Sequence, residues 1–348
     1  MTTSTPPLFA ITMGDPAGIG PEIALKALVS RDFPAGCRIF VIGDLAVLEE
    51  NRRIVPAAPP LRAMASADDF AGGAINVLDM KQIGVRDFTV GKTQAACGRA
   101  SYNYVIKGIE LCLDKKICGM ITNPISKEAL RMAGINYPGH TEILADKTGT
   151  KEFSMMFAEE NVYVVHVTTH VSLKNAIGLV TRQLVLVNIR LLHETLRGLG
   201  ITSPRIAVGG LNPHAGENGL FGSEETVHIV PAIEDSKKLG INASGPYPPD
   251  TVFMRAFRGE FDGVVSMLHD HGFVALKSRD FESGVNITVG LPIIRTSVGH
   301  GTAFDKAGKG IASEKSLLAA IKAAVLLWKN RQNQEEDSPQ KRRGDIIN

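Results

Sequence analysis

Short apolar runs alternate along this chain with longer stretches in which apolar side chains recur every three or four positions, and most of the short runs stop at a glycine or a polar cluster. The short runs predict buried strands at residues 8–13, 38–43, 117–121, 162–170, 205–210 and 264–268, since a run rich in Val and Ile and bounded by turn residues has a strand's length. The longer stretches predict helices just after Gly20 and at residues 93–113, 184–199, 227–239 and 314–329. Strand and helix in alternation predict an α/β architecture. Residues 55–71, with many Pro and Ala, predict a loop, residues 245–251 a rigid turn, and the polar, charged stretch 330–348 a solvated tail.

Reactive side chains gather where these runs end, which is where open α/β sheets place their chemistry. The first run passes into Gly14-Asp15-Pro16-Ala17-Gly18-Ile19-Gly20, a glycine turn and helix start whose free N–H groups suit an anion or a nucleotide edge. Gly139-His140-Thr141-Glu142 opens another helix, where His140 and Thr141 are placed to donate to an anion, with capping as the alternative role for Thr141. In the run at 162–170, His170 comes last and predicts a ligand, whereas His166 predicts a satisfied core histidine. The run at 205–210 ends in Leu211-Asn212-Pro213-His214-Ala215-Gly216-Glu217, and the run at 264–268 ends in His269-Asp270-His271-Gly272. Lys277, Asn286 and Arg295 follow at intervals of nine, two cations and an amide suited to a phosphate or a carboxylate. Taken singly, each of these residues has the alternative of being an ordinary surface residue at a strand end.

A length of 348 residues predicts two lobes with a cleft between them. Lys plus Arg number 38 against 36 Asp plus Glu, so the chain lacks the basic field of a nucleic-acid binder, and a small acidic molecule is the expected partner. Cys37, Cys97, Cys112 and Cys118 have no paired ligand spacing and predict reduced thiols. No apolar run reaches the length of a membrane span, and the start of the chain lacks a basic region followed by a long apolar one. The expectation is a soluble, cytoplasmic protein. If sheet topology gathers the strand ends that carry His170, His214 and His269, three neutral imidazoles with open positions make a site for Zn²⁺, Co²⁺, Mn²⁺ or Mg²⁺.

The blocks TMGDPAGIGPEI, TNPISKEAL, YPGHTEILAD, THVSL, GLNPHAGENGLFGSEE, GPYPPDTVF, MLHDHG, GVNITVGLPIIRTSV and HGTAFDKAGKGIA, taken together, resemble the 4-hydroxythreonine-4-phosphate dehydrogenase (PdxA-like) family. The first and last of them also resemble the wider isocitrate and isopropylmalate dehydrogenase group. The resemblance implies a two-lobed α/β/α fold of that group with the active site in the interdomain cleft. Residues 1–123 with 280–329 would form the cofactor-side lobe and residues 124–279 the metal and dimerisation lobe. It implies a divalent metal on His170, His214 and His269, and phosphate contacts from His140, Thr141, Lys277, Asn286 and Arg295. NAD or NADP would lie along Gly14, Asn212, Gly216, His300, Gly301 and Asp305, with Asp250, Asp270 and Lys277 beside the reacting centre. A homodimer with shared sites is also implied, His269 reaching the metal of the partner subunit.

The implied reaction is oxidation of the 3-hydroxyl of 4-phosphooxy-L-threonine to a ketone β to the carboxylate, then decarboxylation to 3-amino-2-oxopropyl phosphate, a pyridoxine precursor. Two departures bear on the substrate: His271 stands where the family's HDQG has glutamine, and Gly299 where its SVDHGTA has aspartate. Both make the pocket less hostile to anionic groups, His271 by adding a group that titrates near neutrality. Relatives that oxidise 4-phospho-D-threonate, 4-phospho-D-erythronate or a cis-dihydrodiol carboxylate supply the alternatives, and a catalytically dead sugar-phosphate or nucleotide sensor is the alternative of another class.

Overall fold

The computed structural model describes residues 5–159, 162–278 and 284–336. The chain divides into two units, Met1–Thr150 with Leu291–Trp328, and Lys151–Gly290 with Lys329–Asn348. The boundary therefore falls after Thr150 and before Leu291, not at residues 123 and 280, and His140 and Thr141 share a unit with Arg295.

The first unit begins with β1 (Leu8–Thr12), α1 (Gly20–Val29), β2 (Arg38–Gly43), α2 (Leu45–Arg52), β3 (Leu61–Met64), β4 (Ile75–Asp79), α3 (Ala95–Leu113), β5 (Gly119–Thr122), α4 (Lys127–Met132) and α5 (His140–Thr148). The second contains β6 (Ser154–Glu159), β7 (Val162–His166), α6 (Leu173–Leu179), α7 (Arg182–Gly198), β8 (Ile206–Gly209), α8 (Val230–Lys238), β9 (Ala243–Tyr247), α9 (Val252–Phe257), β10 (Gly263–Ser266), α10 (His269–Lys277) and β11 (Val285–Val289). The chain then returns to the first unit with β12 (Arg295–Val298) and with α11 (Lys315–Glu336) as far as Trp328.

Strands of the first unit are all parallel, in the order β3-β4-β2-β1-β5-β12. All five residues of β1 are buried, as expected for a parallel strand covered on both faces. In the second unit the order is β11-β6-β7-β10-β8-β9; β6 is antiparallel to β11 and β7, and β7, β10, β8 and β9 run parallel. Helix α7 shows how pattern becomes packing: Thr181 caps the Leu184 N–H, and Val185, Ile189, Leu192 and Leu196 lie buried along one stripe.

Several boundaries differ from the sequence expectation. The loop expected at 55–71 contains β3, whose Leu61–Met64 ladder with β4 overrides its weak strand pattern. The turn expected at 245–251 begins inside β9. The strand expected at 162–170 ends at His166. Helix α11 continues to Glu336, so residues 330–336 are helical where a tail was expected; residues 337–348 lie outside the described part. Among the described residues no single helix is long and apolar enough to cross a membrane. The four cysteines are unbridged, and burial pushes the Cys97 and Cys112 thiols up to about 12.

Candidate active site

In the second unit β10 lies between β7 and β8, and all three are parallel, so the segments that follow them leave the sheet at one edge. The three strands end at His166, Gly209 and Ser266, and His170, His214 and His269 stand four, five and three residues beyond. None of the three closes its strand, contrary to the run pattern. The rings of His170 and His269 lie 5.9 Å apart. His214 is exposed on its loop, with Phe221 as ring neighbour at 6.2 Å. Among the described residues no three His, Cys, Asp or Glu converge to hold a metal ion, so topology gathers the three histidines at one edge without assembling them in a single chain.

His166 departs from expectation in another way. It is buried, and its polar contact with the Met155 backbone is not a well-formed hydrogen bond, so neither ring nitrogen is fully satisfied among the described residues. Burial, with His269 adding to it, pushes its pKa down to about 3, so the ring is neutral. It stacks on Phe273 at 4.7 Å and 6°, and its Nε2 occupies the space a Cβ on Gly272 would need, 2.3 Å away.

The loop after β8 turns left-handed through five consecutive residues, His214, Ala215, Gly216, Glu217 and Asn218, a conformation costly for side chains other than glycine. Buried Glu225 holds its base: Oε1 accepts the Leu211 and Asn212 N–H groups at 2.8 and 2.7 Å, and Oε2 accepts Asn212 Nδ2 at 2.9 Å. Glu224 accepts the same amide at 2.8 Å. Glu225 went unnoticed in the sequence because its partners lie 13 and 14 residues away, a separation that no helix or strand period marks.

Asp250 and Asp270 are both exposed and line a groove of about 900 Å³ with Phe253, Met254, His271 and Val274. Asp270 Oδ1 lies 2.9 Å from His269 Nδ1, where it orients that imidazole. His271 was expected to titrate near neutrality; burial lowers its pKa, with Asp270 only partly opposing, so it stands neutral. Lys277 closes α10, its Nζ 4.8 Å from the Phe273 ring, and Asn286 lies on β11 with a buried Oδ1 that has no partner among the described residues.

The first unit holds the other anion candidates. Arg295, 3% exposed at the start of β12, donates from Nε and Nη2 to Thr122 Oγ1 at 3.2 and 2.7 Å. Burial pulls its guanidinium down to about 9, against Glu142, which leaves it charged at neutral pH. His140 opens α5; burial, then Arg295 and Lys127, hold it well below the usual imidazole range. A neutral imidazole keeps one N–H to donate. Its buried Nε2 has no partner among the described residues. No side chain caps α5, so the capping role for Thr141 is not realised and its N-terminal N–H groups keep their capacity for an anion.

The cofactor candidates of the first unit form a packed pair of loops. Gly14 has φ +79°, and a Cβ there would meet Pro124 O at 2.5 Å, so only glycine fits. The Ile19 N–H donates to Thr302 O at 3.0 Å, which ties the early loop to the segment carrying His300, Gly301 and Asp305. His300 Nδ1 lies 3.0 Å from Gly301 O, and burial lowers its pKa; Gly301 and Asp305 are exposed. Glu22 and Lys26, which sequence reading passed over, clamp the far end of that segment. Glu22 accepts the Ala312 and Gly310 N–H groups at 2.8 and 3.3 Å, and Lys26 Nζ donates to Glu22 and to the carbonyls of Gly310 and Ala312 at 2.7 to 2.9 Å. Asn212 and Gly216, the remaining cofactor candidates, lie on the Glu225-held loop of the second unit.

A family profile described as pyridoxal phosphate biosynthetic protein PdxA matches residues 35–324. The chain is 48% identical over 324 residues to D-threonate 4-phosphate dehydrogenase of Cupriavidus necator, covering 92% of this chain and 97% of that one. It is 47% identical to 4-hydroxythreonine-4-phosphate dehydrogenase of Beijerinckia indica, covering 92% and 94%. A solved structure of 4-hydroxythreonine-4-phosphate dehydrogenase from Klebsiella pneumoniae is similar with a TM-score of 0.82 at 40% identity, covering 92% and 99%. A β-decarboxylating dehydrogenase from Thermococcus kodakarensis, 14% identical with a TM-score of 0.51 over 93% and 83%, shares the fold alone. With a profile match over most of its length and relatives near half identity, the chain belongs to the PdxA family of dehydrogenases that act on a CH–OH group.

Proposed function

We propose that this protein oxidises the 3-hydroxyl of a four-carbon acid phosphorylated at its far end, with NAD or NADP as hydride acceptor, and that decarboxylation follows. The observation that carries this reading is buried, charged Arg295 in the same unit as a neutral, donor-bearing His140 and the uncapped start of α5, a set suited to a phosphate dianion. Thr141 adds a donor there, and Lys277 and Asn286 are assigned to the same phosphate group. His170, His214 and His269 are assigned to a divalent metal, with His269 supplied by a second copy of the chain, as the family resemblance implies. That metal would polarise the substrate hydroxyl and the ketone derived from it. Asp250 and Asp270, on one groove, are assigned the hydroxyl proton, with Lys277 beside the reacting centre; a bound nicotinamide would accept the hydride from C3, and the carboxylate would then be lost as CO₂. The dinucleotide is assigned to the loops of Gly14, Asn212, Gly216, His300, Gly301 and Asp305.

Two acids fit this chemistry and differ only at C2. With 4-phospho-D-threonate the C2 group is a hydroxyl and the product dihydroxyacetone phosphate; with 4-phosphooxy-L-threonine it is an ammonium and the product 3-amino-2-oxopropyl phosphate. Gly299 in place of an aspartate removes a carboxylate that an ammonium would favour, and the Cupriavidus relative's name supports the hydroxyl acid, which we place first. The Beijerinckia relative keeps the amino acid as the second reading. A homodimer is supported by the exposed apolar residues Val171, just before α6, and Leu173, Ile177 and Leu179 along it, and a cytoplasmic site by the unbridged cysteines. The test is a panel of both phosphorylated acids, 4-phospho-D-erythronate and a cis-dihydrodiol carboxylate, each with NAD⁺ and NADP⁺, read by reduced nicotinamide. Highest kcat/KM with 4-phospho-D-threonate is the expected result; turnover of none would leave the sensor reading standing.

A further inference from the structure

One side chain outside every role assigned above touches two residues that have roles. Phe273 sits on α10 one turn after His269 and one turn before Lys277, the spacing that places all three on a single helix face. Its ring lies 4.4 Å from the His269 ring and 4.8 Å from Lys277 Nζ. It is also held by the parallel stack of His166 at 4.7 Å, whose ring lies 6.0 Å from that of His269, and by an edge contact from Phe157 at 5.1 Å, within the buried cluster that also contains Val164, Val264 and Leu276. Gly272, next in the chain, leaves His166 the room to lie there. The Met155 backbone gives the His166 ring a polar contact without a well-formed hydrogen bond, so the stack on Phe273 contributes to fixing its orientation.

We propose that Phe273, backed by His166, is a positioning residue: its ring holds the His269 imidazole and the Lys277 ammonium on one face of α10, so that one aromatic plate orients both a metal ligand and a phosphate contact. The inference rests on the reading that His269 binds metal and Lys277 phosphate. A tilted ring contact restricts rotation of the imidazole, and a cation over an aromatic ring is held by the ring quadrupole. An aliphatic residue at this position would fill the core but fix neither group.

The test compares Phe273→Leu with Phe273→Tyr, which keeps the ring, and measures binding of Co²⁺ alone and of inorganic phosphate alone to the full chain by titration calorimetry. His269→Ala and Lys277→Ala are the references. In Phe273→Leu both dissociation constants are expected to rise, each by about threefold to tenfold, with Phe273→Tyr close to the wild type. In the double variant Phe273→Leu with Lys277→Ala, phosphate is expected to bind no more weakly than to Lys277→Ala alone. If thermal melting shows that leucine leaves the chain unfolded, Phe273→Met fills the volume without a ring and is read in the same way. A lower melting temperature with both constants within twofold of wild type, while the reference variants lose binding, makes Phe273 merely structural and overturns the proposal. References that bind Co²⁺ and phosphate as the wild type does overturn the site reading itself, and the proposal with it.

Discussion

Asp15 is fully buried, with Oδ1 accepting the Ala17 N–H at 2.9 Å and Oδ2 without a partner among the described residues, and burial raises its pKa from 3.8 to about 6. Between those values the folded chain holds a proton that the unfolded chain has released, so the stability linked to Asp15 is complete below the lower value and lost as pH rises through the upper one. Asp15→Asn keeps the acceptor and removes the titration. Urea unfolding at pH 4 and pH 7 is expected to show the wild type losing about 2 to 3 kcal/mol relative to this variant across that interval. An equal pH response would place the ionised carboxylate comfortably in the fold. Arg295 gives the functional counterpart. Arg295→Ala is expected to reduce preference for the phosphorylated over the unphosphorylated acid by about 2 to 3 kcal/mol in kcat/KM, the range of a charge-assisted contact, and an unchanged preference would move the phosphate elsewhere. At this scale residue types were informative: a cation or imidazole among apolar neighbours stands out. Environment was not. His271 has the composition of a pH-sensitive group, and burial, which is absent from composition, makes it neutral.

Elements carry the next level of constraint. The Glu22–Lys26 pair on α1 grips residues 310–312 through both N–H and C=O groups, with Glu22 fully buried. Removing one partner of a buried pair strands the other, so Glu22→Gln is expected to cost about 3 kcal/mol of stability and to raise KM for the dinucleotide more than it lowers kcat. A chemical denaturation curve and initial rates check the two parts separately, and an unchanged KM would detach the clamp from cofactor binding. The helices α3 and α7 and strands β1, β2 and β8 were legible because their own periodicity matches their burial. The edge strand β3 was hidden, since a half-exposed four-residue strand has no run to betray it and exists by pairing with β4. The left-handed turn after β8 was hidden too, because it depends on a carboxylate that arrives from Glu225.

For the molecule as a whole, a metal shared between copies makes a distinct prediction. His214→Ala and His269→Ala homodimers should each be inactive, yet co-refolding the two should restore up to about a quarter of wild-type activity, because half of the dimers then carry one intact site. No recovery above either variant alone would place the metal within one chain. Sequence by itself determined the α/β class, through strand and helix periods written in local side chains, and it marked the candidates for chemistry, because imidazoles, carboxylates and cations at the ends of apolar runs are chemically conspicuous. Only the tertiary structure decided which of them meet. The order β7-β10-β8 brings three segments far apart in the chain to one sheet edge, the unit boundary after Thr150 puts His140 and Thr141 with Arg295, and the packing of α10 sets Phe273 between His269 and Lys277. These facts depend on contacts between residues tens of positions apart, whose partners no local pattern names, and on burial, which holds His140 and His166 neutral only once the chain has closed around them.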